Sequence, residues 1–305
     1  MSILILTALC LSGLALKAQD SRDEDKLPAG YTRDELGNVL PTSVYPLLSA
    51  ETVNERIVLA KCPYYTLSLK SSYPDLTGDQ KVDELIKMKF RQSINDRKAL
   101  MLEDFGSGEC PADAEADDDR GQSEQTTSFT AYGPSNRYLS VVYQTFEYAS
   151  GAAHPDTSYQ TETYLVGQGR VMTIFDLFQD PQKSIPQFWD YVGPKWCAYN
   201  KDYSALPSYY SSAGINLKCP AGGQAPPLPD VLKNADPSLA ALGNPVFTAE
   251  GLTLVLGPYE GWSYADGPSS LNVPKDVLLK IGASPAIWQN GPAKQTTGLS
   301  GPKAK

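Results

Sequence analysis

The sequence predicts an α+β fold in which antiparallel sheets pack against helices in two linked halves. Two observations lead there. Period-two runs with glycine or proline turns alternate with only a few helical stretches. Strands and helices also follow one another in blocks, without the regular βαβ alternation of a doubly wound sheet.

Taken in order, residues 62–69 alternate, with Tyr65, Leu67 and Leu69 on one side and Tyr64, Thr66 and Ser68 on the other, as in a half-buried strand. Pro74 and Gly78 are expected to end it. Val82, Leu85, Ile86, Phe90, Ile94, Arg97 and Met101 then recur at steps of three and four and predict an amphipathic helix. Residues 107–124 are acidic and glycine-containing, and read as a loop. Residues 126–132 and 137–148 read as strands around Gly133-Pro134-Ser135-Asn136, and 157–166 and 170–174 as a hairpin around Gly167-Gln168-Gly169. The first half is therefore β-α-βββ, an antiparallel sheet on one helix.

The second half opens at Asp180-Pro181, a helix start with proline in the first turn. Phe188, Val192 and Trp196 mark its buried side. Pro186 and Gly193-Pro194 imply a kink or two short helices. Residues 201–230 lack an apolar period. Phe247, residues 252–256 and residues 270–273 read as strands, and Pro274-Lys275-Asp276 opens a closing helix to Ile281. The expected organisation is a leader at 1–18, a flexible lead-in at 19–52, halves at 53–166 and 167–282, and a disordered tail at 283–305.

The leader is an apolar run from Ile3 to Leu16 that ends in small residues, with Ala15 and Ala18 as cleavage positions. Such a run is the core of a secretory signal and is shorter than the roughly 20 residues a membrane span needs. Periplasmic or secreted location follows as an expectation, with no transmembrane segment in the mature chain. Cys10 follows Leu9, where an acylation signal takes Gly or Ala, so a lipoprotein anchor is the secondary expectation. Beyond the leader stand four cysteines, Cys62, Cys110, Cys197 and Cys219, an even count that suits two disulfides in an exported chain. Nearest-neighbour pairing, Cys62 with Cys110 and Cys197 with Cys219, is favoured among three connectivities. A formal charge of −9 argues against nucleic acid and anionic membranes as partners and is compatible with a basic protein.

Three segments carry a resemblance. They are Phe146-Glu147-Tyr148-Ala149-Ser150-Gly151-Ala152-Ala153-His154, then Thr173-Ile174-Phe175-Asp176-Leu177-Phe178, then Phe247-Thr248-Ala249-Glu250-Gly251-Leu252 continuing through Pro258-Tyr259 to Pro274. In order and spacing they resemble the RsiV/PdaC-type extracytoplasmic domain family, found in lysozyme-sensing anti-sigma factors and in the non-catalytic N-terminal region of a deacetylase. The resemblance spans about residues 55–280. It implies an α+β fold in two linked halves, a place outside the cytoplasmic membrane and direct binding of lysozyme. Ala152 departs from the family's second glycine in Gly-Gly-Ala-His. With no span, anti-sigma segment or deacetylase domain recognisable in these residues, the expectation is the binding module without an effector.

His154 is the sole histidine, with Asp156 two residues on. A structural role in its glycine-containing loop is favoured over a catalytic one, and one histidine does not make a zinc site. Tyr209 and Tyr210 lie in a Ser/Pro/Gly-rich segment, where aromatics serve either recognition or local packing. Tyr259, Trp262 and Tyr264 follow the strand at Leu252, where packing is favoured over a groove. Asp113, Glu115, Asp117, Asp118 and Asp119 lack the glycine and terminal glutamate of an EF-hand and read as a solvated loop. No metal or cofactor is expected. The functional expectation is a non-catalytic module that binds lysozyme or another cell-wall-associated partner. The alternatives are a cell-wall hydrolase using His154 and a structural envelope protein.

Overall fold

The computed structural model describes residues 31–33, 39–41, 49–59, 62–106, 122–148, 152–199, 227–228, 232, 239–242, 244–256 and 269–289. A two-stranded pair, β1 (Tyr31–Arg33) and β2 (Val39–Pro41), comes first. A curled six-stranded sheet follows in sequential spatial order, with β3 (Ser49–Leu59), β4 (Cys62–Leu76), β5 (Gln122–Ser135), β6 (Tyr138–Tyr148), β7 (Asp156–Leu165) and β8 (Arg170–Val171). Helix α1 (Gln80–Gly106) connects β4 to β5. The single turn α2 (Ile174–Leu177) and helix α3 (Pro181–Tyr199) lead to a three-stranded antiparallel sheet. Its strands are β9 (Pro245–Phe247), β10 (Gly251–Leu256) and β11 (Ser269–Pro274), in the order β11-β10-β9, and α4 (Lys275–Lys280) follows. This is a mainly β member of the α+β class.

Several expectations change. The sheet is mixed: β4 and β5 pair in parallel, from Thr66 opposite Gln122 to Ser71 opposite Thr127. The cause is α1, which carries the chain back before β5 begins, as a parallel neighbour requires. Pro74 does not end β4, because β5 pairs only with residues 66–71 and the proline needs to donate nothing on that side. The span 19–52 holds β1, β2 and the start of β3. The boundary at 166/167 falls inside the β7–β8 hairpin. The α3 helix runs through both Pro186 and Pro194 as one element, with Ile185, Phe188, Trp189 and Val192 buried along it. The core also reaches past residue 282. Ala283 bridges to Phe178, and Ile287 and Trp288 are buried in a 3-10 turn at Pro285–Trp288.

The two faces of the large sheet are used differently. On one, α1 buries Val82 and Ile86 against Tyr73, Ala131, Leu139, Val141 and Tyr164. On the other, Tyr132, Val142 and Tyr159 meet Val246 and Val255 of the small sheet. The Phe247 amide donates to Ser140 Oγ at 3.1 Å, and Ser140 pairs with Thr163 at 2.7 Å. The buried Ser140 hydroxyl is thus paired with both sheets, as burial demands. Tyr138 and Leu165 of the large sheet enter the same core as Phe188, Phe247, Leu252 and Ile287, so the two expected halves share one interior.

The N-terminus of α1 is anchored twice. Asp79 Oδ1 accepts from the Lys81 amide at 2.9 Å, capping the helix, while its other oxygen accepts from the Gly167 amide in the β7–β8 turn. Gly169 in that turn has φ +62°, and a Cβ there would lie 2.3 Å from Lys81 Cβ. The close approach requires glycine.

The Thr173–Phe178 segment also has a structural purpose. Asp176 accepts from the Thr173 amide and hydroxyl at 2.8 and 2.9 Å, and takes a bidentate pair from Arg170 at 2.7 and 2.5 Å. This holds α2 so that Ile174, Leu177 and Phe178 bury. The Arg170 guanidinium beside it, with the Thr173 bonds, holds the Asp176 carboxyl below its ordinary range. A depressed folded-state pKa contributes stability above the unfolded value of about 3.9, lost as pH falls through the folded value. Asp176→Asn is therefore expected to cost about 1 kcal/mol at pH 7, discounted for the partly exposed arginine. The gap between variant and parent should close below about pH 4 in urea titrations. A gap that persists undiminished at low pH contradicts this account.

Candidate recognition cavity under helix α1

Cross-strand partners point to the same face, so the strand registers identify what α1 covers. Leu69 and Ser71 of β4 align with Gln125 and Thr127 of β5. Thr127 lies opposite Thr145 of β6, and Tyr143 opposite Gln160 of β7. Near the α1 N-terminus this face is apolar and filled. Further along it turns polar, and the helix stands off to leave a cavity of about 90 Å³. Helix residues Ile86, Lys89, Phe90, Ser93 and Ile94 form the roof, and Glu162 and Tyr164 complete the floor.

The cavity's ionisable groups are arranged in one connected set. Glu162 accepts from both the Lys89 ammonium and the Tyr164 hydroxyl. Tyr143 and Tyr164 also hydrogen-bond each other. Burial pushes both phenols well above their ordinary range, so both stay protonated at neutral pH. Thr127 and Thr145 share a hydrogen bond of 3.1 Å. Phe90 stacks at a tilt between Tyr73, 4.5 Å away, and Tyr143, 6.2 Å away, closing the apolar side.

Beyond the cavity the α1 cations continue to pair with the sheet. Lys87 meets Glu51 at 3.6 Å, Lys98 meets Glu55 and Arg97 meets Glu147. At the sheet's other end Tyr73 donates to Glu51, and burial with that bond raises its pKa to about 12. Two atoms are left buried without a hydrogen-bond partner beside Glu147: Arg97 Nε, and Oε1 of Gln125, the residue opposite Glu147 in the β5–β6 register.

The sequence candidates lie elsewhere. His154 is exposed in the turn before β7, with Nδ1 3.0 Å from the Pro155 carbonyl oxygen. Asp156 Oδ1 accepts from the Thr157 amide at 2.8 Å. Neither lines the cavity. Tyr209, Tyr210, Tyr259, Trp262, Tyr264, Cys110, Cys219 and the Asp113–Asp119 cluster lie outside the described residues, as does the side chain of Cys62. Cys197 is buried, 8% exposed. Among the described residues no group of three or more His, Cys, Asp or Glu is placed to hold a metal, and no helix is long and apolar enough to cross a membrane.

Fold and cavity together define an α+β module with a small, charge-compensated pocket on a sheet face. No protein-family model matches the chain, and no curated protein matches it. Among solved structures it is similar to a DUF3298 family protein from Pseudomonas aeruginosa PAO1, at 12% identity and a TM-score of 0.45, covering 81% of this chain and 98% of that one. It is also similar to a DUF3298 family member from Bacteroides fragilis NCTC 9343, at 14% identity and a TM-score of 0.41, covering 80% and 98%. The DUF3298 family includes the RsiV/PdaC-type extracytoplasmic domains.

Proposed function

We propose that this chain is an exported recognition module that binds its partner without transforming it, the partner being a lysozyme-like basic protein or another cell-wall-associated component. The observation that carries the non-catalytic part is the pairing inside the cavity. Glu162 is engaged by two donors and the phenols remain protonated, so the pocket offers contacts rather than a poised base or nucleophile. The formal charge of −9 complements a cationic protein and favours rapid encounter. The apolar leader and the three family segments support export, and pairing of Cys197 with Cys219 and Cys62 with Cys110 belongs to the same proposal.

A pull-down with hen-type lysozyme at micromolar protein tests the partner. Retention is expected at about 0.05 M salt and should weaken at about 0.15 M, where surface charges are more strongly screened. Finding no complex at either salt removes the lysozyme reading.

A further inference from the structure

We propose that the open edge of β3 is a dimerisation surface, to which a second copy of this chain adds its own β3, antiparallel, about a two-fold axis at Asn54. Such pairing needs neither the cavity nor the proposed partner.

The edge is available. Among the described residues β3 pairs only with β4, so the other side of its ladder is open. Long open edges are templates for another strand, and proteins blunt them with proline, mid-strand bulges or inward-pointing charges. None of these protects β3. It contains no proline, and its irregularities lie at its two ends, between Ser49 and Ala50 and between Val58 and Leu59. Its inward carboxylates, Glu51 and Glu55, are already met by Lys87 and Lys98 of α1. On the other face Ala50, Thr52, Asn54 and Arg56 are exposed, and Val58 is 49% exposed.

The strand's own residues select a copy of itself as the occupant. Directly opposed residues share a face, so a symmetric antiparallel pair centres on a residue, and like charges placed opposite each other destabilise it. With the axis at Asn54, the regular stretch from Ala50 to Val58 overlaps its copy along its whole length. Arg56 then faces the partner's Thr52, Glu55 faces the partner's Val53 and Glu51 faces the partner's Ile57. No charge meets its like. Moving the axis to Val53 sets Glu51 against the partner's Glu55, and moving it to Glu55 or Arg56 sets that residue against its own copy. Moving it to Thr52 runs the ladder into the irregularity at Ser49. Charge and backbone regularity choose the same register.

The helices leave room for it. Helix α1 lies over β4 more than over β3. The two copies of β4 would stand three strand spacings apart, about 14 Å. That exceeds the roughly 8–10 Å at which helices pack, so both α1 helices fit on one face of the joined sheet.

Sedimentation equilibrium of the full chain over about 1–300 µM tests the pairing, since a dimer's population follows protomer concentration. A reversible dimer is expected. Thr52→Arg sets like charges opposite each other at both symmetric positions and should raise the dimer dissociation constant about tenfold or more. Adding Arg56→Glu makes those charges opposite and should return the constant to within about threefold of the parent. Both side chains are exposed, so the variants keep their fold, which unchanged circular dichroism verifies. The proposal is overturned if the parent stays monomeric to about 300 µM, if Thr52→Arg leaves the dimer unchanged, or if Arg56→Glu does not restore it.

Discussion

Trp288→Ala is expected to lower folding stability by about 3–5 kcal/mol, the range for removing a large buried aromatic. Trp288 lies beyond the last helix in a glycine- and proline-rich end of the sequence, yet it is 7% exposed. Its ring centroid is 6.5 Å from that of Phe247, and its Nε1–H donates to the Thr248 carbonyl at 2.8 Å. Alanine would leave both a void in the shared core and a buried carbonyl without its donor. Trp288→Phe keeps most of the volume and loses only the donor, so it should cost about 1–2 kcal/mol. Urea denaturation reads both. If the alanine variant unfolds within about 0.5 kcal/mol of the parent, as surface changes do, the chain end is not part of the core.

Gly251→Ala is expected to cost about 2–4 kcal/mol, combining backbone strain with overpacking. Gly251 has φ +153°, which an L side chain rarely adopts. A Cβ there would sit 2.3 Å from the Val273 carbonyl oxygen and 2.8 Å from the Lys275 nitrogen. These contacts are backbone atoms on the neighbouring strand and the first turn of α4, so neither can move aside as a flexible side chain would. The Lys275 amide also donates to the Glu250 carbonyl at 2.8 Å, fastening the β9–β10 turn to the start of that helix. Alanine must disturb either the turn or the β10–β11 ladder. A thermal midpoint unchanged by this substitution contradicts the reading.

These two positions show why parts of the fold were unreadable from local pattern. Gly251 stood out as part of a motif, but its reason is a strand and helix that arrive more than twenty residues later. Trp288 sat in a composition that elsewhere signals disorder. Strand β3 is hidden from local pattern because its inward positions include Glu51 and Glu55 beside Val53 and Ile57, which hides the apolar alternation. Those carboxylates face α1 because Lys87 and Lys98 meet them there. The same exchange of apolar for paired polar residues conceals the cavity. Gln125, Thr127, Thr145 and Glu162 occupy inward strand positions where a filled core would place Val or Leu. Polar residues at inward positions on neighbouring strands were the available signal, and reading it needs the strand order.

The features legible from residue order alone are local. The four-residue spacing of Val82, Ile86, Phe90 and Ile94 specifies one face of a long helix, and the Gly167-Gln168-Gly169 and Asp180-Pro181 segments specify a tight turn and a helix start. Each follows from backbone preferences and side-chain periodicity within a few residues. The features that emerge only on folding are non-local: the parallel pairing of β4 with β5, the shared core behind both sheets, and the meeting of Lys89 with Glu162 across 73 positions of chain. Such contacts depend on which faces of separate elements come together, and no stretch of neighbouring residues encodes that alone.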